Sequence, residues 1–393
     1  MGQPMLEGIR IIDLSTVVFG PYAAQMLADL GADVIKIEPP SGDQYRMAGK
    51  PAKTPGMGAC HMTINRGKRS VVLDLKQADD QAFMRDLLKS ADVFIHNVRT
   101  EAIGRLGFGY DAVRALKPDI IYVHCVGFGS EGPYAGLQAY DDVIQAGTGA
   151  TTLAGRVDGD PRPRYIPSLI ADKVAGLHGA YAMLGALVHK LRTGEGQAVE
   201  VPMFESFAHF MLEEHLCGGT FDPPTGPLGY PRQLDPNRQP FPTADGWISI
   251  VPYTDESLAR IFHLLGKPEI LDEERFSTPR GRGANISALY QAIGQLTPAR
   301  TTAAWMDLLR AAQIPALPVR DLQDVPNDPH LRASGFFTER VHPTEGAYLD
   351  MRPPVRFGAA YVRRDDGAPL LGQHTESLRA EIAAAASTPL DGG

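Results

Sequence analysis

The sequence is poor in cysteine, has no net positive charge and contains no long apolar run, and each shortage removes a class of protein. Only three of 393 residues are cysteine; Cys60, Cys125 and Cys217 lie far apart, with no CxxC pair and no metal-ligand spacing. An odd count without a framework reads as reduced thiols in a cytosol. The histidines show no HExxH or paired spacing, so no metal is expected. The net charge is −8, which leaves no overall basic field to hold nucleic acid or an anionic membrane. Any anionic ligand must therefore be met by a local cluster of Lys and Arg. No stretch approaches the ~20 apolar residues of a membrane helix. The opening MGQPMLEGIR lacks the apolar run of a signal peptide, and Leu6 breaks the myristoylation pattern. A cytoplasmic protein is expected, with neither nucleic acid nor membrane as partner.

What is present is an ordinary globular composition, 44% hydrophobic and 8% aromatic, in a chain long enough for two domains. Residues 8–37 read as a βαβ unit: a strand at Ile9–Leu14, a turn at Gly20-Pro21, a helix over Tyr22–Leu30 stopped by Gly31, and a strand at Val34–Ile37. The alternation recurs with strands at Ser70–Leu75, Val93–His96 and Ile120–Val126 and helices at Asp79–Ser90 and Tyr110–Lys117, which predicts α/β with a doubly wound, Rossmann-like sheet. A long helix from Ser168 to Leu191 follows, rich in small residues such as Gly176 and Gly179 that let another backbone come close. The proline-dense Pro223–Pro242 reads as a loop or linker. Beyond it come a strand at Trp247–Val251 and helices at Glu256–Leu265, Leu289–Leu296 and Thr302–Ala312. The domains are set at 1–222 (large α/β), 223–239 (linker), 240–325 (small α/β) and 326–393 (C-terminal segment), with the tail after Ala383 read as frayed.

The conspicuous motif is a decoy. Gly127-Phe128-Gly129-Ser130-Glu131-Gly132 matches GxGxxG after a strand, but Pro133 and Gly136 follow and no helix begins before about Asp141. A dinucleotide site needs the loop to open directly into a helix whose N-terminus binds pyrophosphate, so no redox cofactor is expected. The basic set Lys36, Arg46, Lys68, Arg69, Arg99 and Arg105 flanks the carboxyl ends of the strands, where open α/β sheets bind ligands. Such residues are ordinarily solvated surface; the functional reading is that several meet there to neutralise phosphates. Asp172 falls in the first turn of the long helix. An aspartate there is ordinarily a cap or a dipole partner, and the functional reading rests on the same physics, a dipole that keeps the carboxylate ionised as a nucleophile. Asp141 or Asp142 offers a second acid.

Several blocks in order carry a resemblance. LEGIRIIDLSTVVFGPYAAQMLADLGADVIKIEPPSGDQYR, INRGKRSVVLDLK, ADVFIHNVRTEAIGRLGFGYD, VGFGSEGPYAGLQAYDDVIQAGTG, IADKVAGLHGAYAMLGALVHKLRTGEGQAVEVPMFES and LGQHTESL resemble the family III CoA-transferases, which include formyl-CoA and carnitine-type transferases and the related α-methylacyl-CoA racemases. The resemblance implies a nucleophile at Asp172, which forms an aspartyl-CoA thioester by way of a mixed anhydride. It implies CoA contacts at Asn65, Lys68, Arg69, Asn97, Val98 and Arg105, and a thioester-side turn at Val17, Val18 and Phe19; Arg46 and Gln138 are expected at the acceptor pocket with that turn and partner-subunit residues, and Asp141 is counted with the cofactor-binding residues. It further implies an interlocked homodimer, and coenzyme A as cosubstrate exchanged between an acyl-CoA and a carboxylic acid. Backbone amides of the Gly127–Gly132 loop are expected as oxyanion donors. Two departures narrow the reading. The racemases' Gly-His-Asp triplet is Ala139-Tyr140-Asp141 here, which removes one of two proton-transfer groups and favours transferase over racemase. The glycine run of formyl-CoA transferases is absent, which favours a larger acid such as a dicarboxylate. A racemase and a catalytically dead CoA-binding protein are the alternatives.

Overall fold

The computed structural model describes residues 4–358 and 366–387. The chain divides into two compact units, one of Met1–Thr151, Tyr165–Met211 and His330–Gly393, the other of Thr152–Arg164 and Leu212–Pro329.

The first unit is built on six parallel strands, β1 (Arg10–Leu14), β2 (Asp33–Glu38), β3 (Arg69–Val72), β4 (Val93–His96), β5 (Ile121–Val126) and β6 (Gln197–Pro202), in spatial order β3-β2-β1-β4-β5-β6. Near-continuous apolar runs make these strands because both faces are covered: Ile12 pairs with Ile35 on one side and Phe94 on the other, and all three are fully buried. The order reverses between β1 and β4, and that reversal opens a crevice at the strands' carboxyl ends. The outer edge of β3 is capped by the C-terminal segment. His374 N–H donates to Ser70 O at 2.9 Å, while Ser70 N–H donates to His374 Nδ1 at 3.1 Å and Val72 N–H to Thr375 Oγ1 at 3.0 Å. Edge amides that would otherwise be open to pairing are thereby satisfied.

The first helix, Phe19–Asp29, begins three residues before the expected Tyr22, and the long helix is Ile170–Thr193, ended by Gly194 at φ 77. The two pack closely. A Cβ at Gly176 would lie 2.9 Å from Tyr22 Cδ1 and 3.1 Å from Phe19 O, and one at Gly179 would lie 3.1 Å from Ala23 Cβ. The stretch after the GxGxxG sequence runs through turns to a helix at Asp141–Gly147. Four further elements are not foreseen from the sequence pattern: β6, the helix Met203–His215, the hairpin β10 (Phe337–His342) with β11 (Gly346–Met351), and the helix Thr375–Ser387. The last of these carries helix past Ala383, where fraying was expected; residues 388–393 of that tail lie outside the described residues.

The second unit carries an antiparallel sheet of β7 (Phe241–Pro242), β8 (Trp247–Ile250) and β9 (Ala316–Pro318). Helices Asp255–Leu264, Ile286–Leu296 and Thr302–Ala311 close its own core around Ile248, Ile261, Leu289 and Trp305, whose indole N–H donates to Thr297 O at 2.7 Å. No described helix is long and apolar enough to cross a membrane.

Candidate active site

A cavity of about 490 Å³ opens in the first unit where the strand order reverses. Its wall takes Thr16 and Val17 from the turn after β1, Asn97, Val98 and Arg99 from beyond β4, Cys125 to Phe128 from the end of β5, Gln138 to Tyr140 from the loop that follows, and Asp172. The topology therefore gathers residues that are up to about 150 positions apart in sequence at one set of carboxyl strand ends.

Asp172 is the third residue of its helix and only 8% exposed. Leu169, at the N-cap, has no side chain able to accept a helix amide, so the cap comes from another helix: Asp172 N–H donates to Asp141 Oδ2 at 3.0 Å. Gln145, one turn along from Asp141, donates to Asp141 Oδ1 at 2.5 Å and accepts from Ile166 N–H at 2.8 Å, tying the approach to the long helix in place. The i, i+4 spacing of Asp141 and Gln145 is a signal the sequence reading did not use. Burial, and next the Asp141 carboxylate, push Asp172 up to about 7. Burial beside a second carboxylate thus acts against the ionising effect expected of the helix dipole.

The turn after β1 is held from two sides. Asn97 accepts Thr16 N–H at 3.0 Å and donates to Thr16 O at 3.0 Å, so its carboxamide is spent on backbone. Val17 sits at φ 68, with its N–H on the Asp43 carboxylate at 3.2 Å from each oxygen. Val18 is buried behind the wall. His124 Nε2 lies 3.0 Å from Val98 O and its ring stacks 4.4 Å from His96, which burial drives down to about 3 and keeps neutral.

The basic set divides in a way the sequence did not foretell. Lys36 pairs with Asp43 at 2.9 Å, Lys68 with Asp13 at 3.0 Å and Asn65 Oδ1 at 3.0 Å, Arg46 with both oxygens of Glu38 at 2.6 Å, and Arg69 with Asp33 and Glu381. Lys36, Arg46, Asn65 and Lys68 are buried, and neither these four nor Arg69 is on the cavity wall. The set does not meet as a phosphate cluster, because carboxylates inside the fold consume four of its six cations. Arg99, on the wall, and Arg105, at the end of the helix Thr100–Arg105, are exposed and have no ion pair among the described residues. Two amides of the loop expected to supply oxyanion donors are likewise committed: Gly129 N–H donates to Glu205 at 3.0 Å and Ser130 N–H to Glu200 at 2.9 Å. Among the described residues no group of three or more His, Cys, Asp or Glu is placed to hold a metal ion.

A doubly wound sheet with a buried carboxylate at its switch-point cavity is an α/β architecture with a candidate ligand site, and comparison with known proteins makes the class specific. The family model "CoA-transferase family III" matches residues 6–375. The succinate–glutarate CoA-transferase of Agrobacterium fabrum is 33% identical over 97% of this chain and 96% of its own length. A formyl-CoA:oxalate CoA-transferase of Escherichia coli is 30% identical over 96% of this chain and 95% of its own. A solved CAIB/BAIF family protein from Brucella suis superposes with a TM-score of 0.82 at 30% identity, covering 96% of this chain and 99% of that one. The chain belongs to CoA-transferase family III and is an enzyme that transfers CoA.

Proposed function

We propose that the protein moves CoA from a dicarboxylyl-CoA to a carboxylic acid, with Asp172 as covalent nucleophile. The observation that carries this reading is the buried Asp172 carboxylate on the cavity wall, with no cation paired to it among the described residues. Asp172 attacks the thioester carbonyl; the C–S bond breaks, CoA leaves as thiolate and an acyl-aspartyl anhydride forms. The thiolate attacks the aspartyl carbonyl, expelling the donor carboxylate and leaving an aspartyl-CoA thioester. The acceptor carboxylate displaces CoA thiolate from that thioester, and the thiolate then attacks the acceptor's acyl carbon, regenerating Asp172. The succinate and glutarate in the name of the 33% identical relative support a dicarboxylic substrate.

In this reading Val17, Asn97, Val98 and Gln138 contact CoA or the acids from the cavity wall, with Arg99 and Arg105 as the exposed cations for its phosphates. Arg46, Asn65, Lys68, Arg69 and Val18 support the turn and loop backbone from behind, and Asp141 sets the position of Asp172. Tyr140 stands where a racemase would carry histidine, so α-proton exchange lacks its second group. A homodimer would cover the apolar face of the long helix, where Leu177, Tyr181 and Val188 are each more than half exposed. Three free cysteines fit a reducing cytoplasm.

The test is mass spectrometry of CoA exchange across a panel of acyl-CoAs and acids. Asp172→Ala and Asp172→Asn are expected to lose transfer by a factor of about 10³ or more while CoA still binds; full activity in either variant overturns the assignment. Arg105→Ala should weaken CoA binding by about tenfold with kcat little changed, as loss of one charge-assisted phosphate contact implies. Unchanged affinity removes Arg105 from the site. Deuterium incorporation at the α-carbon in heavy water without an acceptor acid would establish a racemase instead.

A further inference from the structure

Val17 is a β-branched residue at φ 68, in the left-handed region where such side chains are strained. Strain of this kind persists only where surrounding structure enforces it, and it concentrates at working sites. Here the enforcement is visible. Both oxygens of Asp43 accept the Val17 N–H at 3.2 Å. Asp43 is itself fixed by Lys36 Nζ at 2.9 Å, and the same ammonium donates to Ser15 O at 2.9 Å, two residues before Val17. Lys36 and Asp43 are both buried, at 0% and 2% exposure, and neither lies on the cavity wall. The turn they hold leads directly into the helix Phe19–Asp29, whose first turn is pressed against the long helix at Gly176, four residues after Asp172.

We propose that the buried Lys36–Asp43 ion pair is a positioning device for CoA transfer: it locks Val17 in its left-handed conformation and so fixes the Thr16–Phe19 wall of the cavity relative to Asp172. Asn97 clamps Thr16 from the opposite strand, so the turn has no freedom to relax. Lys36 and Asp43 touch no substrate; they act through Val17. The two residues thus gain a role that their composition as a buried salt bridge does not suggest, since such pairs add little net stability. The inference rests on the reading of this cavity as the transfer site.

The test is a double-mutant cycle on steady-state CoA transfer. Asp43→Asn keeps the side-chain volume but replaces one of two acceptor oxygens by a donor and removes the ion-pair partner of Lys36, leaving only the Asp13 and Glu38 charges nearby. Released strain of this size corresponds to about a tenfold fall in kcat, with KM for the acyl-CoA moving less than about threefold. In a Val17→Gly background, where glycine adopts φ near 68 without enforcement, the same Asp43→Asn substitution is expected to cost less than about threefold. Equal cost in both backgrounds, or a loss confined to KM, overturns the proposal. If Asp43→Asn does not fold, Val17→Gly is compared with Val17→Pro, whose φ is locked near −65°. The glycine variant should exceed the proline variant in kcat by about tenfold or more, and equal rates overturn the proposal. If Asp172→Ala still transfers CoA, the reading of the site fails; if Asp172→Ala is dead and the cycle shows no coupling, only the positioning role fails.

Discussion

Two neighbourhoods at the carboxyl ends of one sheet treat buried carboxylates in opposite ways. At the ends of β1 and β2 and in the turn after β2, three buried acids each have a cation: Asp13 meets Lys68, Asp43 meets Lys36, and Glu38 is gripped by Arg46 and held at about 2 despite its burial. On the other side of the strand-order reversal, Asp172 is buried to a similar degree but faces Asp141 instead of a cation, and it rises to about 7. Burial alone is therefore not what sets Asp172 apart. What differs is the partner. A paired acid is stable and inert, whereas an unpaired one gives up stability to keep a basic, weakly solvated oxygen next to the cavity.

The contrast can be broken on its inert side first. Asp13→Asn leaves the Lys68 ammonium, already drawn down to about 8 by burial, without its counter-charge. A loss of about 3–5 kcal/mol in unfolding free energy is expected from urea titration; less than about 1 kcal/mol would mean that Lys68 simply deprotonates. The reactive side should behave with the opposite sign. The folded-state pKa of Asp172 lies above its unfolded value, so its contribution to stability is fully present below about pH 4 and is lost as pH rises through about 7. Asp172→Asn should then be more stable than the wild type at pH 8, by up to roughly 4 kcal/mol, and no more stable at pH 4. Thermal melts at the two pH values check this, and a pH-independent difference removes the linkage.

A smaller effect concerns rate. Because the nucleophile must be ionised, kcat/KM for the acyl-CoA should climb with pH to a plateau above about 7. A profile already flat from pH 5 would show that Asp172 is ionised in the free enzyme. Smallest is the share owed to Asp141. Asp141→Asn retains an acceptor for the Asp172 amide but removes the neighbouring charge, so the midpoint of that profile should move down. An unmoved midpoint assigns the elevation to burial alone.

The lesson for reading the sequence lies in the same two neighbourhoods. The parallel sheet was legible because Ile11, Ile12, Val34, Ile35, Phe94 and Ile95 stand in short apolar runs at βαβ spacing, a local pattern. The edge elements β6 and the β10–β11 hairpin were not, since their exposed faces carry alternating polar residues that read as loop. Asp172 was legible through its ordered sequence neighbours, and its place at the start of the long helix held to within two residues. The basic residues were legible only as a list. Which of them would meet a carboxylate depended on Asp13, Asp33, Glu38, Asp43 and Glu381, and sequence spacing does not say that residue 381 will reach residue 69.

The sequence by itself thus determined the family and the doubly wound alternation, and singled out Asp172 as the proposed nucleophile, because these rest on local periodicity and on blocks of adjacent residues. Tertiary structure alone decided the environment of Asp172, the sorting of six cations into four that are paired with carboxylates and two exposed arginines, and the strained turn at Val17. Each of those depends on distances between residues far apart in the chain, and on the water excluded when they come together.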